Sequence, residues 1–159
     1  MPLELLVVLA LILFNGFFAL SEMAVMTSRK SRLRQQAKES ARARAALELA
    51  EQPERFLSSV QVWITMLGIL TGFFGGEALA SGLESWLRQF DPLARYAHGI
   101  SIALSLGLIT IFSVVLGELV PKRLGILAPE RLATLVAAPM RVLTIAAMPA
   151  VVVLAWMTR

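Results

Sequence analysis

The chain has 159 residues, 57% of them hydrophobic and 16% charged, whereas soluble domains average roughly 45–50% apolar and about 25% charged residues. A soluble protein of this length cannot bury so much apolar surface, so the composition excludes an ordinary soluble domain. Cysteine is absent, which excludes disulfides, thiolate metal sites and cysteine nucleophiles. The net charge of +4 does not indicate nucleic-acid binding, because the basic residues concentrate directly after an apolar segment, as in membrane proteins.

Three long apolar segments are predicted to cross the membrane, since a spanning helix needs about 20 largely apolar residues. They cover residues 4–28, 56–83 and 99–120. The first is a retained helix rather than a cleaved signal peptide, because Glu4 stands where a basic n-region would lie and the apolar run is too long. The chain is therefore predicted to be an all-α membrane protein, with one transmembrane domain over residues 1–159.

A fourth apolar segment, about 129–157, permits two interpretations. Pro139 and Pro149 remove backbone donors and Arg141 adds a charge, so the segment is predicted to be divided into short pieces. Short pieces are easier to accommodate at the membrane interface or against other helices than among lipid tails. We favour Pro-broken juxtamembrane helices over a full fourth span.

The basic residues predict the orientation. None precedes position 29, eight fall in the range 29–55, and only Arg88 and Arg95 lie between the second and third spans. Because the basic side faces the cytoplasm, the N-terminus is predicted outside, and the range 29–55 and the C-terminal Arg159 inside. The segment of about 30–52 is either an amphipathic interfacial helix or a solvated connector.

Glu118 is the most informative residue, because this acid follows nineteen uncharged residues of the third span. A charged residue inside a span costs roughly 2.5–3.5 kcal/mol at mid-membrane and usually marks an ion pathway. Pro121 cannot donate to the carbonyl four residues back, that of Gly117, so two hard oxygen ligands lie side by side. The alternative is that Glu118 merely pairs with Lys122, one helical turn later. We favour the ion site.

Polar side chains of the first two spans extend the candidate site. Asn15 and Glu22 fall on nearly one face of the first helix, and Ser21 lies about 100° round from Glu22. Gln61 and Thr65 share a face of the second span. Such residues also form helix–helix hydrogen bonds in membranes. For Ser21 we favour the ion site, for Glu22 the two interpretations are balanced, and for Gln61 and Thr65 we favour helix–helix bonding.

A small residue recurs at every fourth position of the second span, at Gly68, Gly72, Gly76 and Ala80. Stripes of this kind allow helix backbones to approach closely. The pattern predicts a tight helix–helix contact, and the partner helix can belong to the same chain or to a second copy.

The chemistry that is missing also restricts the function. The chain has one histidine, His98, and one aspartate, Asp91, both in the outer connector. An aspartyl dyad is therefore impossible and a buried Ser–His pair is not expected, so we predict that the protein is not an enzyme. Glutamates with hydroxyl and carbonyl companions suit Mg²⁺, Ca²⁺ or Na⁺ better than zinc or copper.

Three motifs carry a family resemblance: NGFFALSE at 15–22, LSSVQVWITMLG at 57–68 and GELVPK at 117–122. Together they resemble the transmembrane domain of the CorC/cyclin-M magnesium transporter family, over essentially the whole chain. The resemblance implies a homodimer, associated through its transmembrane helices, that exports Mg²⁺ coupled to Na⁺ entry. It also implies three spans with juxtamembrane helices forming a cytoplasmic-side belt, and an ion site at which Ser21 and Glu118 occupy the family's positions.

We therefore predict a Mg²⁺ transporter of the plasma (inner) membrane, with the ion held by Ser21, Glu118 and a backbone oxygen such as that of Gly117. The alternative is a non-transporting membrane anchor, in which the same oxygens bind Mg²⁺ to set the state of a cytoplasmic domain. Expected partners are lipid, a second copy and a downstream regulatory region of CBS modules, which this chain does not contain. Nucleic acid is not an expected partner.

Overall fold

The computed structural model describes residues 2–157, with only the backbone described at residues 2, 91 and 93. Within that range the chain forms eight α-helices and one π-helical turn. The elements in chain order are α1 (Pro2–Thr27), α2 (Lys30–Gln36), α3 (Ala41–Glu51), α4 (Pro53–Leu87), α5 (Asp91–Ala94), α6 (Ala97–Val114), the π turn (Val115–Leu119), α7 (Val120–Leu127) and α8 (Pro129–Met157). Arg159, predicted to be cytoplasmic, lies outside the described residues.

Local capping explains several boundaries. The Ser40 hydroxyl accepts a hydrogen bond from the backbone N–H of Ala43 at 3.3 Å and so caps α3. Pro53 and Pro129 are the first residues of α4 and α8, where the missing proline donor leaves no helical bond unmade. The basic segment between the first two spans is therefore two short helices, α2 and α3, that end directly before a new long helix.

Four segments are long and apolar enough to cross a membrane: Leu3–Thr27, Pro53–Leu87, Ala97–Leu127 and Pro129–Met157. The first three confirm the three predicted spans as helical segments. The chain is thus a multi-pass all-α membrane protein with four candidate spans.

The prediction that prolines break the fourth segment into short helices is wrong. The helix α8 continues through Pro139 and Pro149 for 29 residues. Packing explains the difference, because Ala133, Ala137 and Met140 are completely buried on one side of α8. An internal proline removes one hydrogen bond and bends the helix, but contacts with neighbouring helices can hold such a helix together.

The core lies where α1, α3, α4 and α8 meet. Phe18 of α1 is fully buried and stacks on Trp63 of α4, with ring centroids 5.7 Å apart. Large apolar side chains such as Ile69, Phe73 and Ile111 are exposed on the outer surfaces of the long helices. Apolar surface of this extent would be unusual in water and is ordinary where lipid covers the helices.

The N-terminal half of α8 is fixed to the basic side of the molecule. The Arg141 guanidinium lies 3.5 Å from a Glu48 carboxylate oxygen of α3. The Trp63 indole N–H, near the start of α4, donates to the Leu143 carbonyl at 3.0 Å. This half of α8 therefore packs against α3 and the first turns of α4.

Candidate ion site

The third span is interrupted by the π turn just before Pro121. The backbone N–H of Val120 donates to the carbonyl of Val115, five residues back, which is the hydrogen-bond spacing of a π-helix. Pro121 has no N–H that could reach the carbonyl of Gly117. The sequence thus creates a widened turn with a carbonyl that needs another donor.

The side chain of Asn15 supplies that donor. Its Nδ2 donates to the Gly117 carbonyl oxygen at 3.0 Å and so joins α1 to the π turn. A Cβ atom at Gly117 would lie 3.2 Å from the same Nδ2, which leaves little room for any side chain there. The Asn15 Oδ1 is buried and has no hydrogen-bond partner within residues 2–157. A backbone carbonyl and an amide oxygen, both of them hard ligands, therefore lie at the π turn, at the residue that precedes Glu118.

Two further glycines allow α1 and α7 to approach closely. A Cβ at Gly16 would lie 2.9 Å from Pro121 Cγ, and one at Gly125 would lie 2.8 Å from the Leu20 carbonyl oxygen. Real Cβ atoms essentially never come so close to another atom. Neither position could be recognised from the sequence, because these glycines form no regular stripe and belong to different helices.

Two acids from different helices converge on one ammonium group. The Lys122 Nζ lies 2.9 Å from Glu118 Oε1 and 3.6 Å from Glu22 Oε2. The side chains are partly shielded, with exposed fractions of 20% for Glu22, 30% for Lys122 and 42% for Glu118. The structure thus brings Glu118 and Glu22 together, and it forms the Glu118–Lys122 ion pair that the sequence offered as the alternative to an ion site. The contact between Glu22 and Lys122 was not predicted from the sequence, because it joins residues 100 positions apart on two helices.

Ser21 is completely buried on α1, next to Glu22 along the chain. Its hydroxyl donates to the Phe17 carbonyl of the same helix at 2.6 Å. A hydroxyl that donates in this way keeps its oxygen lone pairs, so it can still accept a bond or contact a cation.

Gln61 and Thr65 lie on a different surface. Both are exposed, and they line a groove of about 650 Å³ between α4 and α8, together with apolar residues such as Val151 and Leu154. The acids Glu22 and Glu118 are not among the residues that line this groove.

The described part of the chain contains no group of three or more His, Cys, Asp or Glu side chains that could hold a metal ion. A metal ion at Glu22 and Glu118 would need further oxygens from hydroxyl, amide, backbone or water. Mg²⁺ accepts such a mixed shell, since it commonly binds through one or two carboxylates and keeps several waters.

Comparison with known proteins identifies the family. The chain matches the cyclin M transmembrane N-terminal domain over residues 6–159. A UPF0053 protein of Synechocystis is 49% identical over 123 residues, which cover 77% of this chain and 28% of that protein. The polyamine export protein of Escherichia coli K12 is 32% identical over 123 residues, covering 77% of this chain and 27% of that protein. The chain thus spans little more than a quarter of the length of these relatives. It belongs to the cyclin M (CNNM) transmembrane domain family.

Proposed function

We propose that this chain is the membrane domain of a cation exporter whose cargo is Mg²⁺. The observation that carries the proposal is the convergence of Glu22 and Glu118, from two helices, on one positive charge beside the π turn. Ionisable groups inside spans are costly and usually mark ion pathways.

The chemistry of the neighbouring groups supports Mg²⁺ as the cargo. The residue before Glu118 is Gly117, whose carbonyl is bonded by the Asn15 amide; the Asn15 amide oxygen is buried without a partner among the described residues, and the Ser21 hydroxyl is on the facing helix. Hard divalent cations prefer oxygen ligands of this kind. Glu118 supplies charge, and the neutral oxygens and water complete the shell.

Binding variants test the site. Glu118→Gln keeps the shape of the side chain and removes its charge. The affinity for Mg²⁺ should therefore fall by at least about a hundredfold, as expected when a principal charged ligand is lost. Ser21→Ala should weaken binding less, because water can replace a neutral hydroxyl. Glu77→Gln, an exposed acid of α4 outside the cluster, is the matched control and should bind normally. Calorimetry on purified protein measures all three, and wild-type affinity in Glu118→Gln would contradict the proposal.

Ion flux separates transport from sensing. A Mg²⁺-sensing anchor would bind the ion in the same way without moving it. Wild-type protein in liposomes, with Mg²⁺ and Na⁺ gradients set independently, should move Mg²⁺ and should respond to the Na⁺ gradient. Mg²⁺ binding without Mg²⁺ flux would favour the anchor. A Mg²⁺ flux that does not change with the Na⁺ gradient would contradict the proposed coupling to Na⁺.

Polyamine export is a second candidate, favoured by the name of the Escherichia coli relative and by one contact. The group held by Glu22 and Glu118 is itself a primary ammonium on an alkyl chain, that of Lys122. Each end of a polyamine such as spermidine is likewise a primary ammonium group on an alkyl chain. Liposomes loaded with spermidine or with Mg²⁺ distinguish the two cargoes, and flux of spermidine alone would replace Mg²⁺ in the proposal.

We further propose that α8, although long and apolar enough to cross a membrane, lies with α2 and α3 in a belt on the inner side. The N-terminus is then outside and the C-terminus in the cytoplasm. The ion pair between Arg141 and Glu48 supports the belt, because it ties the middle of α8 to a helix of the basic segment. Cysteines introduced at Ala41 and Ala94 should then react from opposite sides of the membrane. Reaction of both with an impermeant outside reagent would contradict this topology.

The proposed assembly is a homodimer that uses the exposed face of α4. Apart from the surrounding turns of α4 itself, no atom of the described residues lies within 4 Å of a Cβ built at Gly68 or Gly72, so this face is open to a second copy. We also propose that a cytoplasmic regulatory region of the CBS type acts on this domain, since the relatives contain much additional chain.

A further inference from the structure

We infer that Lys122 is a tethered competitor for the transported cation: its ammonium group offsets one of the two negative charges of the acid pair, and the cargo must displace it to bind. The inference rests on the proposed function and specifies how the same site is regulated.

The geometry holds the ammonium group from two helices. Glu118 precedes Lys122 by one helical turn, in the order that favours an ion pair along a helix, and the two groups are 2.9 Å apart. Glu22 of α1 adds a second carboxylate oxygen at 3.6 Å. An ordinary surface pair would involve one acid and water, whereas this lysine bridges the contact between α1 and α7.

The charges make the ammonium group and a divalent cation mutually exclusive. Glu22, Glu118 and Lys122 together carry one negative charge. A Mg²⁺ ion on Glu118 with the ammonium group still in place would put like charges a few ångströms apart in a partly shielded site, where their repulsion is strong. With the ammonium group moved away, the ion and the two acids are neutral overall.

Covalent attachment to the chain makes Lys122 an effective competitor. Because Lys122 is attached one turn from Glu118, its effective concentration at the acids is high and does not depend on the surrounding solution. Its four-carbon stem allows the ammonium group to move towards water at the inner end of the span. When the cargo leaves, the ammonium group returns and the acids are not left bare in the membrane. Lys122 therefore weakens cargo binding and assists release.

Affinity measurements test the inference on the full chain in detergent. Lys122→Met keeps the length of the side chain and removes the charge, so the Kd for Mg²⁺ should fall by about tenfold or more. Lys122→Arg keeps the charge and should stay close to wild type. The matched control is Arg123→Met, which removes the same charge from an exposed neighbour with no ion pair within residues 2–157. It should leave the Kd unchanged within about twofold.

A second measurement uses the wild-type protein and does not depend on the folding of a variant. Mg²⁺ should raise the rate at which formaldehyde and a borohydride reductant methylate Lys122, because displacement exposes its amino group. Lys30 and Lys38, both exposed, serve as internal controls and should not respond.

The two possible failures are distinguishable. If wild type binds Mg²⁺ but Lys122→Met binds it no more tightly, the inference is overturned and the proposed function stands. The same holds if Arg123→Met gains as much affinity as Lys122→Met. Unchanged Lys122 reactivity on Mg²⁺ binding also overturns it. If neither wild type nor Lys122→Met binds Mg²⁺, the proposed function is overturned and this inference with it.

Discussion

Gly125 and Gly72 both lie in apolar helices, yet their surroundings are opposite. A Cβ added at Gly125 would lie 2.8 Å from the backbone oxygen of Leu20, whereas one added at Gly72 would have no described atom within 4 Å. Gly16 and Gly125, which are crowded at the contact between α1 and the end of the third span, come from two helices and follow no regular spacing. Gly68 and Gly72, which are open, belong to the regular stripe from which a tight contact was predicted.

The difference shows what a small-residue stripe can and cannot predict. Regular spacing indicates a face that another helix is able to approach. Whether the approach occurs depends on the partner, and within the described chain no helix approaches Gly68 or Gly72. A Cβ built at Gly76, in the same stripe, would have only the Leu106 side chain as a neighbour within 4 Å, at 3.4 Å. The close contact is instead made beside the π turn, where backbone meets backbone.

The largest expected effect is at the crowded contact. In Gly125→Ala the new methyl group meets the Leu20 carbonyl, which cannot move without shifting α1, so the free energy of unfolding should fall by about 2 kcal/mol. Unfolding in detergent, followed by helical signal, measures the change. A loss below about 0.5 kcal/mol, the usual range of neutral surface changes, would show that the contact between α1 and α7 is looser than described.

A smaller effect is expected from removing the polar link in the same contact. Asn15→Leu leaves the Gly117 carbonyl without its side-chain donor, which should lower the free energy of unfolding by about 1 kcal/mol. Thr110→Val is the control, because the Thr110 hydroxyl bonds only the Leu106 carbonyl of its own helix. Equal losses in the two variants would mean that the Asn15 bond has no special structural role.

Gly75 sharpens the comparison between crowding by backbone and crowding by side chain. A Cβ at Gly75 would lie 2.6 Å from Ile109 Cδ1, the end of a side chain that can rotate. Gly75→Ala should therefore cost less than about 1 kcal/mol, at the low end for overpacking. The same unfolding assay applies, and a loss as large as that of Gly125→Ala would contradict the distinction.

The smallest effect on the fold is expected at the open stripe. Gly72→Leu should change the free energy of unfolding by no more than about 0.5 kcal/mol, because the side chain enters unoccupied space. If a second copy covers this face, the same variant should reduce the dimer fraction measured by light scattering. Gly99→Leu, also in open space, is the control. An unchanged dimer fraction would exclude this face from the interface.

Much of the fold follows from local sequence properties. Hydropathy and length predict α1, α4 and the third span. Because Pro121 has no N–H, the sequence also predicts that the Gly117 carbonyl lacks its usual helical hydrogen bond. The continuity of α8 was not predictable in this way, because the effect of Pro139 depends on what packs around it.

The candidate site was predictable only in part. Each acid could be identified from the sequence, because a carboxylate in an apolar run is conspicuous. Their meeting through Lys122 depends on which face of α1 is turned towards α7, and this is set by Gly16 and Gly125 across the contact. Helical spacing placed Gln61 and Thr65 on one face correctly, but it could not show that this face is turned towards α8.

The π turn also sets the phase of the third span. Each residue of an α-helix advances by about 100° around the axis, and a π turn typically contains one residue more than the α turn it replaces. Deleting one residue from Val115–Leu119 would therefore rotate all later positions by about that angle. Gly125 would turn away from the backbone of α1, and Lys122 would turn away from Glu22. The part of the span before the turn, α6, packs against α4, and the part after it, α7, packs against α1. The π turn supplies the rotation that allows both contacts.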